Sequence, residues 1–107
     1  KILGFPTANI NPKNAVIPPI GVYAVHVLVH GKQFKGMANV GHRPSFHRND
    51  SKVNIEVHIF NFQKELYNKE IIVQLVKQIR NERVFHTKEK LVAQLKRDQV
   101  KSKSILK

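Results

Sequence analysis

The sequence lacks cysteine and tryptophan, and it has few acidic residues. With no Cys among 107 residues, disulfides and thiolate metal sites are excluded. No segment is long and apolar enough to span a bilayer, so we expect no membrane association. The sequence also lacks a Walker A motif, a Gly-x-Gly-x-x-Gly loop and a Gly-x-Ser-x-Gly elbow. A nucleotide that binds here is therefore held outside the commonest nucleotide-binding folds.

The scarcity of acidic residues leaves a strongly basic chain. Nineteen Lys and Arg against seven Asp and Glu give a net charge of +12, and ten of these basic residues lie from Lys77 to Lys107. Such an excess attracts anionic partners, of which nucleic acid and a polyphosphate such as ATP are the alternatives. A solvated basic helix face explains the C-terminal charge more simply than a nucleic-acid site does.

The length of the chain fits one domain, so we expect residues 1–107 to form a single domain. The chain starts at Lys1 rather than at a methionine. We therefore expect it to be an N-terminally truncated piece of a longer protein.

Alternating apolar residues predict antiparallel strands over residues 20–30, 33–41, 53–60 and 70–79. Gly31-Lys32 predicts a two-residue type II′ turn between the first two of them. Another strand is expected within residues 4–19, and a further one before Lys1. A barrel of this size needs about six strands.

A single helix is predicted near the C-terminus. Thr87 has the chemistry of an N-cap, and Leu91 and Leu95 belong to an apolar stripe at helical spacing. The helix is expected from residue 88 to about residue 100, with residues 101–107 frayed. Several antiparallel strands followed by one helix are typical of a small all-β barrel.

The segment from Gly4 to Asn9 carries the first candidate site. Pro6 stiffens the turn, while Thr7 and Asn9 offer a hydroxyl and an amide oxygen of the kind that Mg²⁺ takes as ligands. Backbone N–H groups near Gly4 are suited to an anion. On these residues alone, an ordinary Asx or Ser/Thr turn explains the segment more simply.

Glu56 is the second candidate, a carboxylate in the middle of a strand. It is either a general base in a groove or a surface residue paired with a lysine. Phe60, Phe62 and Tyr67 follow it, and they indicate either an aromatic surface beside the base or core packing. Three histidines lack metal-ligand spacing and are interpreted as surface or loop residues: His42, His47 and His58.

Five blocks of residues, in order and at suitable spacing, resemble the riboflavin kinase family. They are Leu3–Asn9, Gly21–Ala24, Gly36–Gly41 with Arg43–Phe46, Glu56–Phe62 with Leu66-Tyr67, and finally Ile79-Arg80, Glu82, Phe85, Leu91 and Asp98. The resemblance implies a mainly β fold, a six-stranded antiparallel closed β-barrel with a C-terminal α-helix, whose first strand is missing here.

The resemblance also implies an activity and a site. An ATP:riboflavin 5′-phosphotransferase moves the γ-phosphate of ATP to the riboflavin 5′-hydroxyl and yields FMN and ADP. Thr7 and Asn9 would bind Mg²⁺ (or Zn²⁺), and Gly4 and Pro6 would join them in holding the nucleotide. Glu56 would be the catalytic base. The flavin is expected between the loop of residues 80–87 and the C-terminal helix.

Members of this family are either stand-alone kinases or the C-terminal half of a bifunctional FAD synthetase with a covalently linked FMN adenylyltransferase domain. Both alternatives remain open on this sequence. The resemblance implies small-molecule substrates, ATP and riboflavin. The absence of cysteine is compatible with a reducing cytosol, so we expect a cytoplasmic location. The strands lack the paired exposed aromatic residues of stacking platforms, so we expect no nucleic-acid partner. A non-catalytic flavin-binding barrel and a basic nucleic-acid-binding barrel are the alternative functions.

Overall fold

The computed structural model describes residues 7–10, 18–44, 51–62 and 70–107, with the backbone alone for 7–10, 42–44 and 51–52. The elements are β1 (Thr7–Ile10), β2 (Gly21–Val29), β3 (Lys32–Pro44), β4 (Ser51–Ile59), β5 (Ile71–Arg80) and α1 (Lys88–Ile105). The strands form one antiparallel sheet in the order β1-β4-β3-β2-β5. The mainly β class, the C-terminal helix and a strand within residues 4–19 are therefore confirmed.

The sheet is open in the described part of the chain, because β1 and β5 form its two edges and no ladder joins them there. The sixth strand and the closure of the barrel are not seen among these residues. β3 and β4 extend further than predicted, to Pro44 and from Ser51, so the polar connection between them is shorter than the sequence suggested.

The β2–β3 hairpin turns one residue earlier than predicted. Val29 pairs with Lys32, so His30 and Gly31 are the two central residues of the turn. Both have positive φ angles, 50° at His30 and 77° at Gly31. Positive φ at both positions is the geometry of a type I′ turn rather than type II′. The predicted turn type was wrong because His30 adopts the left-handed conformation that the sequence interpretation reserved for glycine.

The main core lies on one face of the sheet, as strand alternation predicts. β4 contributes Ile55, Val57 and Ile59 to it, and Val53 packs against the same cluster. Other buried members come from the neighbouring strands and the turn after β4: Tyr23, Val25, Val27, Val29, Ala38, Val40 and Phe62. The predicted apolar faces of β2 and β4 are therefore confirmed.

The opposite face of the sheet is covered by α1, which contacts β3, β2 and β5. Met37, Phe60 and Leu95 form a second buried cluster there, with Leu91 packed against it. The positions of β4 that point away from the main core, Glu56 and His58 among them, thus face the side on which the helix lies. This second layer positions the candidate site.

The helix begins as predicted but ends later. The Thr87 hydroxyl accepts a hydrogen bond from the Lys90 backbone N–H at 3.2 Å, as an N-cap does. The helix continues to Ile105, and the Leu106 N–H closes it on the Ser102 carbonyl at 2.9 Å. Ser102 and Leu106 are buried. The expected fraying of residues 101–107 was wrong because this last turn packs against the rest of the protein.

Candidate functional site

A cavity of about 280 Å³ lies between the sheet and α1, next to the connection of residues 81–87 that leads from β5 to the helix. Its polar lining consists of Asn39, Glu56, His58, Arg80, Glu82 and Arg83, and its apolar lining consists of Val22, Met37, Ala38, Phe85, Leu91 and Leu95. Apolar walls with a few polar groups are typical of small-molecule sites. The cavity is therefore the candidate functional site.

Glu56 lies at the middle of β4, between two asparagines in the strand register. Its Cα partner is Asn39 on β3 and Asn9 on β1. The Asn54 side chain donates a hydrogen bond from Nδ2 to Glu56 Oε1 at 3.1 Å. Glu56 is half-buried and lines the cavity. The described contact of the carboxylate is an amide and its surroundings are a cavity, which favours the groove over the alternative of a surface residue paired with a lysine.

His58 follows Glu56 on the same side of β4 and lines the same cavity. It is buried, which corrects the interpretation of this histidine as a surface or loop residue. Burial lowers the pKa of His58 below its ordinary value of 6.5, because the charged ring loses its hydration, and the Glu56 carboxylate opposes this effect. At neutral pH the cavity therefore holds a neutral imidazole on the same side of β4 as Glu56.

The buried imidazole makes the stability of the fold depend on pH. We expect the free energy of unfolding to fall as the pH drops below 6.5. The unfolded chain takes up a proton on His58 near that pH, whereas the folded chain resists until its lowered pKa, so the unfolded state binds more protons between the two. His58→Gln removes this linkage and should give a shallower decline.

Urea denaturation between about pH 7.5 and about pH 5 measures the effect as the slope of unfolding free energy against pH. His86→Gln is the matched control. Because His86 is exposed, its substitution should leave the slope of unfolding free energy against pH the same as in the unchanged protein. A His58→Gln variant that loses stability as steeply as the unchanged chain would assign the pH dependence to another group.

An ion pair beside the cavity joins the last residue of β5 to the helix. Arg80, the last residue of β5, donates from Nε to Asp98 Oδ1 at 2.9 Å and from Nη2 to Asp98 Oδ2 at 2.8 Å. The exposed fractions of the two side chains are 16% for Arg80 and 2% for Asp98. A bidentate contact of this kind is strong and directional, and it ties the end of β5 to the middle of α1.

Of the four residues predicted to bind the nucleotide and the metal, the structure describes two, Thr7 and Asn9. Thr7 and Asn9 lie on β1, where they pair in register with His58 and Glu56. The backbone from Thr7 to Asn9 thus runs beside the strand that carries the candidate base. Gly4 and Pro6 lie outside the described residues. Within the described part of the chain, no group of three or more His, Cys, Asp or Glu side chains could hold a metal ion.

The aromatic residues after Glu56 are core residues. Phe60 and Phe62 are 3% and 5% exposed, and the Phe62 ring packs edge-on against Phe34 with centroids 4.9 Å apart. Of the two interpretations, core packing is therefore correct for Phe60 and Phe62. Tyr67 lies outside the described residues. The phenyl ring in the cavity lining is Phe85, which comes from the connection between β5 and α1.

Sequence reasoning missed the hydrogen bonds of the Gln94 side chain to Asp98 and Arg83, and it missed the burial of His58. Both had a weak signal. Gln94 and Asp98 lie four residues apart beside Leu91 and Leu95, so polar side chains accompany the apolar stripe of the helix. His58 is two residues from Glu56 in a strand, and that spacing places both side chains on one face.

The sequence matches the family described as riboflavin kinase (flavokinase) over residues 1–106. The chain belongs to the riboflavin kinase family. A bifunctional riboflavin kinase/FMN adenylyltransferase of Bacillus subtilis is 38% identical over 92% of the chain, and the one from Escherichia coli K12 is 42% identical over 94%. The chain spans about a third of the length of these riboflavin kinase relatives, 32% of each.

A solved structure also resembles this riboflavin kinase family member. It is described as a macrolide-efflux protein from Streptococcus pneumoniae, and it matches with a TM-score of 0.84 and 32% identity. The match covers 94% of this chain and 33% of that protein. In the described part of the present chain, no helix has the length and apolar character needed to cross a membrane.

Proposed function

We infer that this chain is a riboflavin kinase domain that transfers the γ-phosphate of ATP to the 5′-hydroxyl of riboflavin, giving FMN and ADP. The observation that carries this proposal is the half-buried Glu56 carboxylate in a cavity with apolar walls, in register with Asn9 of the Pro-Thr-Ala-Asn segment. Family membership and relatives whose names include riboflavin kinase support it.

In the proposed reaction, the Glu56 carboxylate holds and accepts the proton of the 5′-hydroxyl. The hydroxyl oxygen forms a bond to the γ-phosphorus, and the bond from that phosphorus to the β,γ-bridging oxygen breaks, so ADP leaves. Phosphoryl transfer depends chiefly on positioning and on neutralising charge, which makes one well-placed base sufficient. The hydrogen bond from Asn54 helps to fix the Glu56 carboxylate in orientation.

The riboflavin ring occupies the cavity in this proposal. The volume of about 280 Å³ is slightly below the range of roughly 300–1,000 Å³ for ligand pockets. It suits a flat ring rather than a whole flavin with its ribityl chain. Phe85, Leu91 and Leu95 supply apolar contacts, and Glu56 lies on the opposite wall. This arrangement agrees with the expected flavin position between residues 80–87 and the helix.

Mg²⁺ fits the oxygen donors of Thr7 and Asn9 better than Zn²⁺ does. A hydroxyl and an amide oxygen shared with substrate phosphates are hard ligands, whereas Zn²⁺ favours nitrogen and sulfur. The chain has no cysteine, and its described residues hold no cluster of metal-ligating side chains. In this proposal Thr7 and Asn9 hold Mg²⁺, which neutralises phosphate charge when bound, and Gly4 and Pro6 shape the phosphate-binding turn.

The sheet closes into a six-stranded barrel in this proposal, with the sixth strand supplied by chain outside the described residues. Leu75 of β5 supports closure, because it is 40% exposed although its partner across the β2–β5 ladder, Val25, is fully buried in the main core. A covering strand would bury Leu75. Residues 1–107 form one domain in this proposal. The bifunctional relatives support a covalently linked FMN adenylyltransferase domain, with which the whole protein would make FAD. The proposed location is the cytoplasm, where ATP is available.

Nucleic-acid binding is not favoured by the described surface. Base stacking needs exposed aromatic rings on the strands. The described aromatic side chains are buried or half-buried: Tyr23, Phe34, Phe60, Phe62 and Phe85. The basic charge is better explained by attraction of a polyphosphate substrate.

The direct test is FMN formation by the purified chain with ATP, Mg²⁺ and riboflavin, followed by chromatography of the flavins. We expect FMN to accumulate with ADP in equal amounts. Riboflavin binding without FMN formation would support the alternative of a non-catalytic flavin-binding domain. A chain that neither binds riboflavin nor forms FMN would overturn the proposal.

Asn9→Ala tests the nucleotide half of the proposed site. The affinity for Mg²⁺·ATP should fall by roughly tenfold, about the value of one hydrogen bond to a charged group, while riboflavin affinity stays near that of the unchanged chain. Titrations with the two ligands, each without the other, measure the difference. Equal losses for both ligands with a lower melting temperature would indicate misfolding, whereas unchanged affinity for Mg²⁺·ATP in a folded variant would remove Asn9 from the nucleotide site.

A further inference from the structure

We propose that Arg80, Gln94 and Asp98 form a clasp that holds the connection of residues 81–87 over the cavity and so sets the affinity for riboflavin. The inference rests on the proposed function, because the ligand of the cavity is taken to be the riboflavin ring. Gln94 and Asp98 are positioning residues, since they act through Arg80, Arg83 and Phe85, which line the cavity.

The first part of the clasp is the ion pair between Arg80, at the start of the connection, and Asp98 of α1. Arg80 precedes the connection, and Asp98 lies in the third turn of α1. The Arg80 guanidinium donates to this carboxylate at 2.8, 2.9 and 3.0 Å, and the Asp98 side chain is only 2% exposed. Arg80 also donates from Nη1 to the Asn81 carbonyl at 3.0 Å, so the guanidinium binds the first residue of the connection as well.

The second part of the clasp is Gln94, whose side-chain amide both donates and accepts hydrogen bonds. Its Nε2 donates to Asp98 Oδ1 at 2.9 Å. Its Oε1 accepts from Arg83 Nη1 at 3.0 Å and from Arg97 Nη2 at 2.8 Å. Because Arg83 belongs to the connection and Gln94 to the helix, this contact holds the middle of the connection against α1.

The clasp positions the aromatic ring of the cavity wall. The guanidinium carbons of Arg80 and Arg83 lie 5.8 and 5.3 Å from the centroid of the Phe85 ring, within the range of cation–π contacts. Residues 81–87 are neither helix nor strand, and Val84 is 86% exposed. The placement of Phe85 therefore depends on the two arginines that the clasp holds.

The kinetic consequence is a selective change in riboflavin binding. Glu56 is held on β4 by the hydrogen bond from Asn54, and none of the clasp contacts described above involves Glu56, so loosening the connection leaves the proposed base in place. Loss of a contact that serves binding alone raises KM while kcat stays the same. A general loss of structure would instead lower kcat and the melting temperature.

The experiment compares Gln94→Met with Gln99→Met. Both replace a glutamine of α1 by an unbranched residue with good helix propensity, and Gln99 makes no described hydrogen bond across to the connection. Gln94→Met keeps the Arg80–Asp98 pair and should fold. We expect the dissociation constant and KM for riboflavin to rise roughly five- to tenfold, the size of one lost hydrogen bond, with kcat within about twofold of the unchanged chain. Gln99→Met should match the unchanged chain.

A double substitution tests whether the contact with Arg83 carries the effect. Arg83→Met alone should raise the riboflavin dissociation constant by a similar factor, and Arg83→Met with Gln94→Met should add little to either single change. Additive effects would overturn the clasp. If Gln94→Met leaves the riboflavin affinity unchanged, the clasp is overturned as well. Binding of riboflavin by the unchanged chain would still support the proposed function in that case. Absence of riboflavin binding by the unchanged chain would overturn both.

Discussion

Glu56→Gln should lower the rate of FMN formation by roughly 10²-fold or more, while riboflavin affinity changes little. Glutamine keeps the size of the side chain and can still accept a hydrogen bond through its amide oxygen, but it cannot take the proton of the 5′-hydroxyl. The half-buried position of Glu56 and its contact with Asn54 should tolerate the substitution, since the amide is nearly isosteric. Steady-state kinetics and flavin fluorescence titration measure the two quantities separately.

Glu82→Gln is the matched control for this prediction. Glu82 also lines the cavity, but it is exposed and comes from the connection rather than from the sheet. Its carboxylate lies against Gly41 of β3, where a Cβ atom would collide with it. We expect the larger loss of turnover for Glu56→Gln. A larger loss for Glu82→Gln would transfer the role of base to the connection, and unchanged turnover in both variants would remove both carboxylates from the mechanism.

Ile59→Ala should lower the free energy of unfolding by about 2–5 kcal/mol. Ile59 is 0% exposed and belongs to the main core, so its truncation removes buried apolar contacts and leaves a cavity. Its neighbours are held by the sheet ladder, with Ile59 paired to Gly36 of β3, and cannot easily move to fill the space. Urea denaturation at constant pH measures the change from the midpoint and slope of the transition.

Ile72→Ala provides the control for Ile59→Ala. The chemical change is the same and the site is again on a strand, but Ile72 is 57% exposed on β5. We expect a loss below about 1 kcal/mol, because little apolar surface is buried there. Comparable losses at the two positions would mean that a further element covers β5, which would support the closed barrel, and a small loss at both would contradict the assignment of the main core.

Local sequence patterns were sufficient for most secondary structure. Alternation in β4 separated the core residues Ile55 and Val57 from Glu56 on the other face, since a strand has a period of two. Thr87 marked the start of α1 because a hydroxyl at this position accepts a backbone N–H. The hairpin turn was misplaced, because His30 takes a positive φ angle that the sequence pattern assigned to glycine alone.

The candidate site was only partly predictable. Glu56 was selected from its position in a strand and from the family resemblance, and the β1 register then brought Asn9 beside it. The clasp residues could not be assigned in this way. Arg80 and Asp98 are separated by eighteen positions, and their meeting depends on how α1 folds back over the sheet. The same packing buries His58, which has no distinguishing feature in the sequence apart from its spacing from Glu56.

The sequence by itself determined the family, the mainly β class, the two faces of each strand and the chemistry of the candidate base, because these depend on residue type and short-range spacing. The tertiary structure alone decided which face of the sheet the helix covers, how far the helix extends and which polar side chains meet across the cavity. The last turn of α1 stays helical because Leu106 and Ser102 are buried. Burial and ion pairing arise between residues distant in the chain, so they depend on the packing of the layers rather than on any local pattern.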